Sequence, residues 1–208
     1  MRGGKVEEVS EYEFTTDWFK WAVPVWEDLF SKIPKDRKIN FLEIGSFEGR
    51  SAVWLIENAI DRHGAIYCVD TWEGGEEHKA QGIDMVEVEK RFDANIATAN
   101  FKNSTVSVIK KKATSYEAMA SLVGSMAGKF DFIYIDGSHQ ATDVMTDACM
   151  AFGLLKEGGV MVFDDYLWDF RIPQMQRPKI AIDLFATLFE PKINIVNIGY
   201  QYIIQRRV

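Results

Sequence analysis

Several features that mark particular classes of protein are scarce or absent in this sequence of 208 residues. It has only two cysteines, Cys68 in an apolar run and Cys149 in a helical pattern, and their spacing does not suggest a zinc site. No apolar run approaches the roughly 20 residues that cross a bilayer, and the first residues lack the basic-then-apolar order of a signal peptide. We therefore expect reduced core cysteines, a cytoplasmic location and no membrane partner.

Positive charge is also limited, because the net charge is −7 at pH 7. The single dense basic run, Lys110 to Lys112, is interpreted as a solvated strand exit, so nucleic acid is not an expected partner. An apolar fraction of 47% and a charged fraction of 26% are ordinary for a soluble globular protein with a sizeable core.

The spacing of apolar residues divides the chain into a helical beginning and a longer alternating part. Residues 14–33 have helical spacing, interrupted at Pro24, which predicts a kink or two short helices. Strands are predicted at 39–45, 64–70, 104–110, 130–136 and 158–165, and helices at 51–60, 83–99, 115–122, 141–155 and 177–189. This alternation indicates a parallel sheet between helical layers, and two close apolar segments around Gly199 predict a final antiparallel pair.

The stretch "EIGSFEGRS" (43–51) joins the first predicted strand to a helix. Gly45 would permit a tight turn, and Gly49 would let a ligand approach the helix. Glu43 and Glu48 would oppose a pyrophosphate, so the loop suits a cationic ligand with an amino group better than a dinucleotide. Asp70 ends the next strand, where a carboxylate can accept hydrogen bonds from both hydroxyls of a ribose; the alternative is an aspartate that caps a helix or turn.

Carboxylates also end the last two parallel strands, at Asp136 and at Asp164 with Asp165. Like charges this close repel and resist desolvation, so something cationic or hydroxylic must compensate them. His139 follows three residues after Asp136, on the first turn of the following helix. Because histidine side chains generally titrate near neutrality, it suits a general base, and the alternatives are a cap of that helix or an outer partner of Asp136.

These motifs resemble those of the class I S-adenosylmethionine-dependent methyltransferases, over residues from about 39 to the end. The likeness is greatest for the small metal-dependent O-methyltransferases, which include catechol O-methyltransferase and the enzymes that methylate sugars of macrolide and aminocoumarin antibiotics. "FLEIGSFEGRSAVWL" matches their first motif, and "FDFIYIDGSHQATD…LLKEGGVMVFDDY" their metal-binding half. The resemblance implies a Rossmann-like α/β fold: a seven-stranded, mostly parallel sheet with an antiparallel C-terminal pair and helices on both faces. Residues 1–38 would then form a helical cap in one domain with a methyltransferase unit at 39–208.

The resemblance also assigns roles to residues. Cofactor contacts are expected at Glu43, Gly45, Ser46, Phe47, Gly49, Ser51, Asp70, Thr71, Trp72, Ala113, Thr114 and Asp136. Asp136, Asp164 and Asp165 would hold a divalent cation, Mg²⁺ or else Mn²⁺ or Ca²⁺, since their ligand atoms are all oxygens. His139 stands where catechol-type enzymes carry a lysine base, and Asp165 where they carry asparagine, a position at which the antibiotic-sugar enzymes tend to have aspartate.

The expected acceptor is a small molecule or glycan, with a sugar hydroxyl (a deoxysugar such as rhamnose) ahead of a catechol or other phenol. Tyr166, Trp168 and Arg171, which leave the last parallel strand, are predicted to contact it, because aromatic faces suit the C–H faces of a sugar. A nicotinamide-dependent oxidoreductase and a non-catalytic S-adenosylmethionine-binding module are the alternatives of other classes. A homo-oligomer is left open.

Overall fold

The computed structural model describes residues 11–32, 38–59, 64–102, 106–169 and 173–208. The helices are α1 (Val23–Ser31), α2 (Arg50–Trp54), α3 (Glu76–Ala80), α4 (Met85–Lys102), α5 (Ser115–Met126), α6 (Ala141–Leu154) and α7 (Pro178–Phe189). The strands are β1 (Asn40–Ile44), β2 (Gly64–Asp70), β3 (Val106–Lys112), β4 (Phe130–Ile135), β5 (Leu155–Phe163), β6 (Ile193–Ile198) and β7 (Tyr202–Arg206). Within these ranges no helix is both long and apolar enough to cross a membrane.

All seven strands form one sheet in the order β3-β2-β1-β4-β5-β7-β6. The first five strands in this order are parallel to one another, whereas β7 runs antiparallel to both β5 and β6. The strand order reverses at β1, which lies between β2 and β4. In an open sheet of this kind, ligands bind beyond the carboxyl ends of the strands at such a reversal. The predicted fold is therefore confirmed, and it fixes where the site must be.

The centre of the sheet is buried on both faces, as a parallel sheet between helices must be. Every residue of β4 is buried. Its alternate residues belong to different clusters, since Phe132 and Tyr134 pack on the face covered by α1, α2 and α4, while Ile133 and Ile135 pack on the face covered by α5, α6 and α7. The near-continuous apolar runs of the sequence follow from this two-sided burial.

The helical beginning is shorter than its apolar spacing predicted. Residues 11–19 are irregular, a single 3-10 turn occupies Lys20–Ala22, and α1 starts beside Pro24. Two short helical pieces at Pro24 were thus predicted correctly, but a helix starting at residue 14 was wrong. The aromatic anchor is Trp26, which is fully buried with ring centroids 4.9 Å from Tyr134 and 5.1 Å from Phe132. The boundary expected at residue 38 stays a prediction, since 33–37 lie outside the described residues.

Candidate functional site at the ends of the parallel strands

The loop between β1 and α2 is shaped by two glycines, for different reasons. Gly45 has a φ of +86°, and a Cβ added there would lie 1.9 Å from the main-chain oxygen of Asp136, so only glycine fits. Gly49 has a φ of +80°, and its added Cβ would meet the ring of Phe92 at 3.0 Å. The argument that Gly49 leaves room for a ligand is therefore corrected: its face is turned toward α4. Whether its main chain contacts a cofactor stays a prediction.

Asp70 organises this loop from the end of β2. Its Oδ2 accepts hydrogen bonds from the main-chain N–H groups of Ser46 and Phe47, both at 2.9 Å, and its Oδ1 accepts one from Trp72 N–H at 2.7 Å. Asp70 thus caps the turn after β1, which is the structural role predicted as the alternative to a ribose contact. Carboxylate oxygens have further lone pairs, so a ribose contact stays a prediction beside it.

Glu43 is the buried acid of the cofactor loop. Its side chain is fully buried, Oε1 accepts a hydrogen bond from the Ser51 hydroxyl, and Oε2 has no hydrogen-bond partner among the described residues. Burial, with a smaller contribution from the charge of Asp70, raises the pKa of the Glu43 carboxyl to about 7. An orphaned buried oxygen of this kind is suited to a donor supplied by a ligand.

The remaining predicted cofactor residues hold the loops around the site. Trp72 is 4% exposed and donates from Nε1 to the Phe47 carbonyl at 3.0 Å, while the Thr71 hydroxyl accepts from Glu73 N–H at 3.2 Å. Thr114 is the N-cap of α5 in a reciprocal capping box with Glu117. This capping role accounts for the hydroxyl of Thr114, and cofactor contacts at Ala113 and Thr114 stay predictions.

The predicted solvated lysines are partly paired. Lys110 Nζ lies 2.9 Å from Glu89 and 2.7 Å from Asp93, both on α4, and 4.6 Å from the centre of the Trp72 ring. Lys112 pairs with Glu89 as well. Their positive charge is therefore offset locally, and the absence of a nucleic-acid partner stays a prediction.

The acidic cluster lies at the adjoining ends of β4 and β5. The Asp136 N–H donates to the Ile44 carbonyl at 2.8 Å, so the cluster directly adjoins the cofactor loop. Tyr134, two residues earlier on the same strand face, directs its hydroxyl at Asp136 Oδ2 (3.0 Å) and at Asp164 Oδ2. Burial, followed by the charges of Asp164 and Asp165, raises the pKa of Asp136 well above its usual range. Both causes, the cost of burying the carboxylate and its repulsion by neighbouring carboxylates, are expected from the sequence.

One atom each from Asp136, His139 and Asp165 lies within 4.8 Å of the others, a set that could hold a cation. His139 Nε2 is 2.8 Å from Asp165 Oδ2, and the Tyr200 hydroxyl donates to Asp165 Oδ1 at 3.1 Å. Asp164 uses Oδ1 to accept from the Asp165 N–H at 2.9 Å and Oδ2 for Tyr134. The structure thus brings all the predicted acidic residues and His139 together, but it places His139, rather than Asp164, in the group with convergent ligand atoms. His139 precedes α6 and is not in its first turn.

Two of the residues predicted to contact the acceptor have different surroundings in the structure. The ring centroids of Trp168 and His139 are 4.4 Å apart, so Trp168 adjoins the cluster. Tyr166 is only 7% exposed, packs on Tyr202 with its ring centroid 5.0 Å away and donates to Asp183 at 2.8 Å, which leaves little of it for an acceptor. Arg171 lies outside the described residues.

Two tyrosines of the site were missed by the sequence analysis. Tyr134 could have been found, because a residue two positions before Asp136 on a strand must point to the same face. Tyr200 comes from the turn between β6 and β7, and nothing local in the sequence indicates that this turn reaches Asp165.

The sheet order, the turn after β1 and the acids that end β2, β4 and β5 define a class I methyltransferase. The sequence profile of a family described as a methyltransferase domain matches residues 42–166. Since the match covers more than half of the chain, the protein belongs to this methyltransferase family. The prediction of a class I S-adenosylmethionine-dependent methyltransferase is confirmed by family and by fold.

The chain is similar in sequence to a viral protein and in fold to several proteins of known structure. The chain is 27% identical to an uncharacterised protein, R132, of Acanthamoeba polyphaga mimivirus, over 80% of this chain and 70% of that one. An O-methyltransferase from Bacillus cereus, solved with S-adenosylhomocysteine, matches with a TM-score of 0.58 and 19% identity over 96% of this chain and 95% of that one. MycE, a methyltransferase of the mycinamycin pathway solved with Mg, S-adenosylhomocysteine and mycinamycin VI, matches with a TM-score of 0.60 and 15% identity over 92% of this chain and 51% of its own. At these identities the structural likeness establishes the fold.

Proposed function

We propose that the protein is a divalent-metal-dependent O-methyltransferase that uses S-adenosylmethionine and acts on a hydroxyl group of a sugar or glycan. The observation that carries the proposal is the convergence of Asp136, His139 and Asp165 on one point that directly adjoins the loop after β1. A methyl donor on that loop and an acceptor oxygen at the acidic cluster would face each other. Positioning of this kind supplies much of the rate of a transfer reaction.

The residues of the site fit both S-adenosylmethionine and a divalent cation. For the cofactor, the buried Oε2 of Glu43 is a ready acceptor for an amino group, and Asp70 lies at the end of β2 with spare lone pairs. For the cation, carboxylate oxygens of Asp136 and Asp165 suit Mg²⁺, Ca²⁺ or Mn²⁺; in the alternative in which His139 is a ligand and not the base, its imidazole would favour Mn²⁺ among them. When bound, the two groups supply an electrophilic methyl and a Lewis acid that acidifies a hydroxyl.

The chain's own residues then hold the acceptor and move its proton. Asp136 and Asp165 would fix the cation against the acceptor oxygen, and His139 would take the hydroxyl proton. If Nε2 takes the proton, it must first give up its 2.8 Å contact with Asp165, because one nitrogen cannot donate to a carboxylate and accept a proton at once; if Nε2 keeps that contact, Nδ1 is the nitrogen that must take the proton. Alkyl hydroxyls have a much higher pKa than phenols, so a sugar acceptor needs both the cation and the base.

A sugar is favoured as acceptor by the paired Asp164–Asp165 ending, which resembles the antibiotic-sugar enzymes, and by the ring of Trp168 beside His139. The likeness to MycE, whose structure holds mycinamycin VI, agrees with this class of acceptor. A catechol could also present two oxygens to the same cation and is the alternative acceptor.

The test is a methyl-transfer assay with labelled S-adenosylmethionine against rhamnose-type glycosides, other glycosides and catechols. We expect turnover of a glycoside that stops in excess chelator and returns with Mg²⁺ or Mn²⁺. Turnover of catechols alone would show that the acceptor is a catechol and not a sugar. Full activity in excess chelator would refute the proposed dependence on a metal ion. Cofactor binding without turnover of any acceptor would instead support a non-catalytic binding module.

A further inference from the structure

An irregular segment before the first helical turn, residues 12–18, lies across the loop that follows β1; we call it the strap. The strap contains no helix or strand. The Arg50 guanidinium donates to the Thr16 carbonyl at 2.7 Å and lies 4.2 Å over the ring of Phe14. Asn95 of α4 exchanges two hydrogen bonds with the main chain of Glu13, at 2.8 and 3.0 Å. The strap is therefore bound to both neighbours of the loop.

The central contact is made by Glu48, in the loop itself. Its carboxylate is 2% exposed and receives three hydrogen bonds. Thr15 supplies two of them, from N–H to Oε2 and from its hydroxyl to Oε1, both at 2.7 Å, and Arg91 Nε supplies the third at 2.6 Å. A buried carboxylate is tolerated only when it is paired and hydrogen-bonded, so Glu48 depends on the strap for most of its donors.

The loop that Glu48 belongs to has a conformation that needs support. Phe47 has a φ of +45°, which is unfavourable for a residue with a side chain. Asn95 Nδ2 donates to the Glu48 carbonyl at 2.9 Å, and the same nitrogen donates to the Glu13 carbonyl of the strap. The strap then continues to Trp18, half exposed, whose ring centroid is 5.2 Å from that of Phe47. Side-chain, main-chain and ring contacts of the strap thus reach both Glu48 and Phe47.

We propose that the Thr15–Glu48 contact is a latch through which docking of the strap sets the affinity of the loop for S-adenosylmethionine. Glu48 is then a positioning residue: it is turned toward the strap and Arg91, and it acts through the shape of the loop. The inference rests on the proposed use of this cofactor. If docking of the strap strengthens cofactor binding, cofactor binding must strengthen docking of the strap by the same factor.

The test compares Thr15→Val with Thr16→Val. Valine has nearly the shape of threonine but removes the hydroxyl donor, and the Thr16 hydroxyl makes no hydrogen bond to Glu48. Titration calorimetry with S-adenosylhomocysteine should show roughly fivefold weaker binding for Thr15→Val and unchanged binding for Thr16→Val. In the wild type, hydrogen exchange of the strap amides should slow when S-adenosylhomocysteine is added.

Glu48→Gln provides a second, stronger perturbation. Its NH₂ group must replace one of the two oxygens and will face a donor whichever way the amide turns, so binding should weaken roughly tenfold or more. The latch is refuted if Thr15→Val binds S-adenosylhomocysteine like the wild type, or if both Thr15→Val and Glu48→Gln lower the melting temperature with affinity unchanged. A wild type that binds no S-adenosylhomocysteine overturns the proposed function, and the latch with it.

Discussion

Replacing Glu43 with glutamine should change how the stability of the protein depends on pH. The Glu43 carboxyl is fully buried, and burial raises its pKa from 4.5 to about 7. The folded state thus holds this proton more tightly than the unfolded chain. Glu43 therefore contributes stability that is complete below a pH of about 4.5 and is lost as the pH rises to about 7. The full contribution is about 3 kcal/mol, since each pH unit between the two values is worth about 1.4 kcal/mol.

The measurement is urea unfolding of the wild type and Glu43→Gln, both free of cofactor, between about pH 4.5 and about pH 8. Other buried acids, such as Asp147, contribute to both proteins, so the difference between the two curves isolates Glu43. We expect the wild type to lose about 3 kcal/mol relative to the variant as the pH rises through this range. Parallel curves would refute the reasoning, because they would show that Glu43 is already ionised in the folded protein at low pH.

Two further substitutions test the acceptor half of the site. His139→Ala should lower turnover roughly 10²- to 10⁴-fold with little change in S-adenosylhomocysteine affinity if His139 is the base; a loss confined to Mn²⁺ affinity, measured by titration, would make it a ligand instead. Trp168→Ala should raise the KM for the acceptor while cofactor affinity and melting temperature stay nearly constant, because its ring adjoins His139. A melting temperature several degrees lower with unchanged acceptor kinetics would show that Trp168 only packs.

Most of the fold and the position of the site could be predicted from the sequence, because both follow from local patterns. A parallel sheet brings the carboxyl ends of its strands to one edge, so the sequence alone predicts that Glu43, Asp70 and Asp136 lie near one another. Apolar runs also gave the strands to within a few residues, since burial on both faces leaves no alternation to misread.

The contacts that shape the site could not be predicted, since they join segments far apart in the chain. Tyr200 reaches Asp165 across 35 residues, and Thr15 reaches Glu48 across 33, through loops with no periodicity to guide a prediction. The sequence predicts an acceptor contact for Tyr166 from its aromatic ring and its place after the last parallel strand, but the residue is almost fully buried and its hydroxyl donates to Asp183. A sequence pattern shows that an aromatic side chain needs a partner, and only the packing of loops decides which one.

The two halves of the site are joined by main chain, and Gly45 is the position at which this can be tested. Its φ of +86° and the 1.9 Å between an added Cβ and the Asp136 carbonyl mean that alanine fits only if the backbone of one strand end moves. Because Asp136 also donates to the Ile44 carbonyl at 2.8 Å, that movement must disturb the cofactor loop and the acidic cluster together. Gly45→Ala should therefore weaken both S-adenosylhomocysteine and Mn²⁺ binding. Gly49→Ala, whose Cβ would meet only side chains, those of Phe92 and Ile96, should affect cofactor binding alone, and a Gly45→Ala protein with intact Mn²⁺ binding would contradict the coupling.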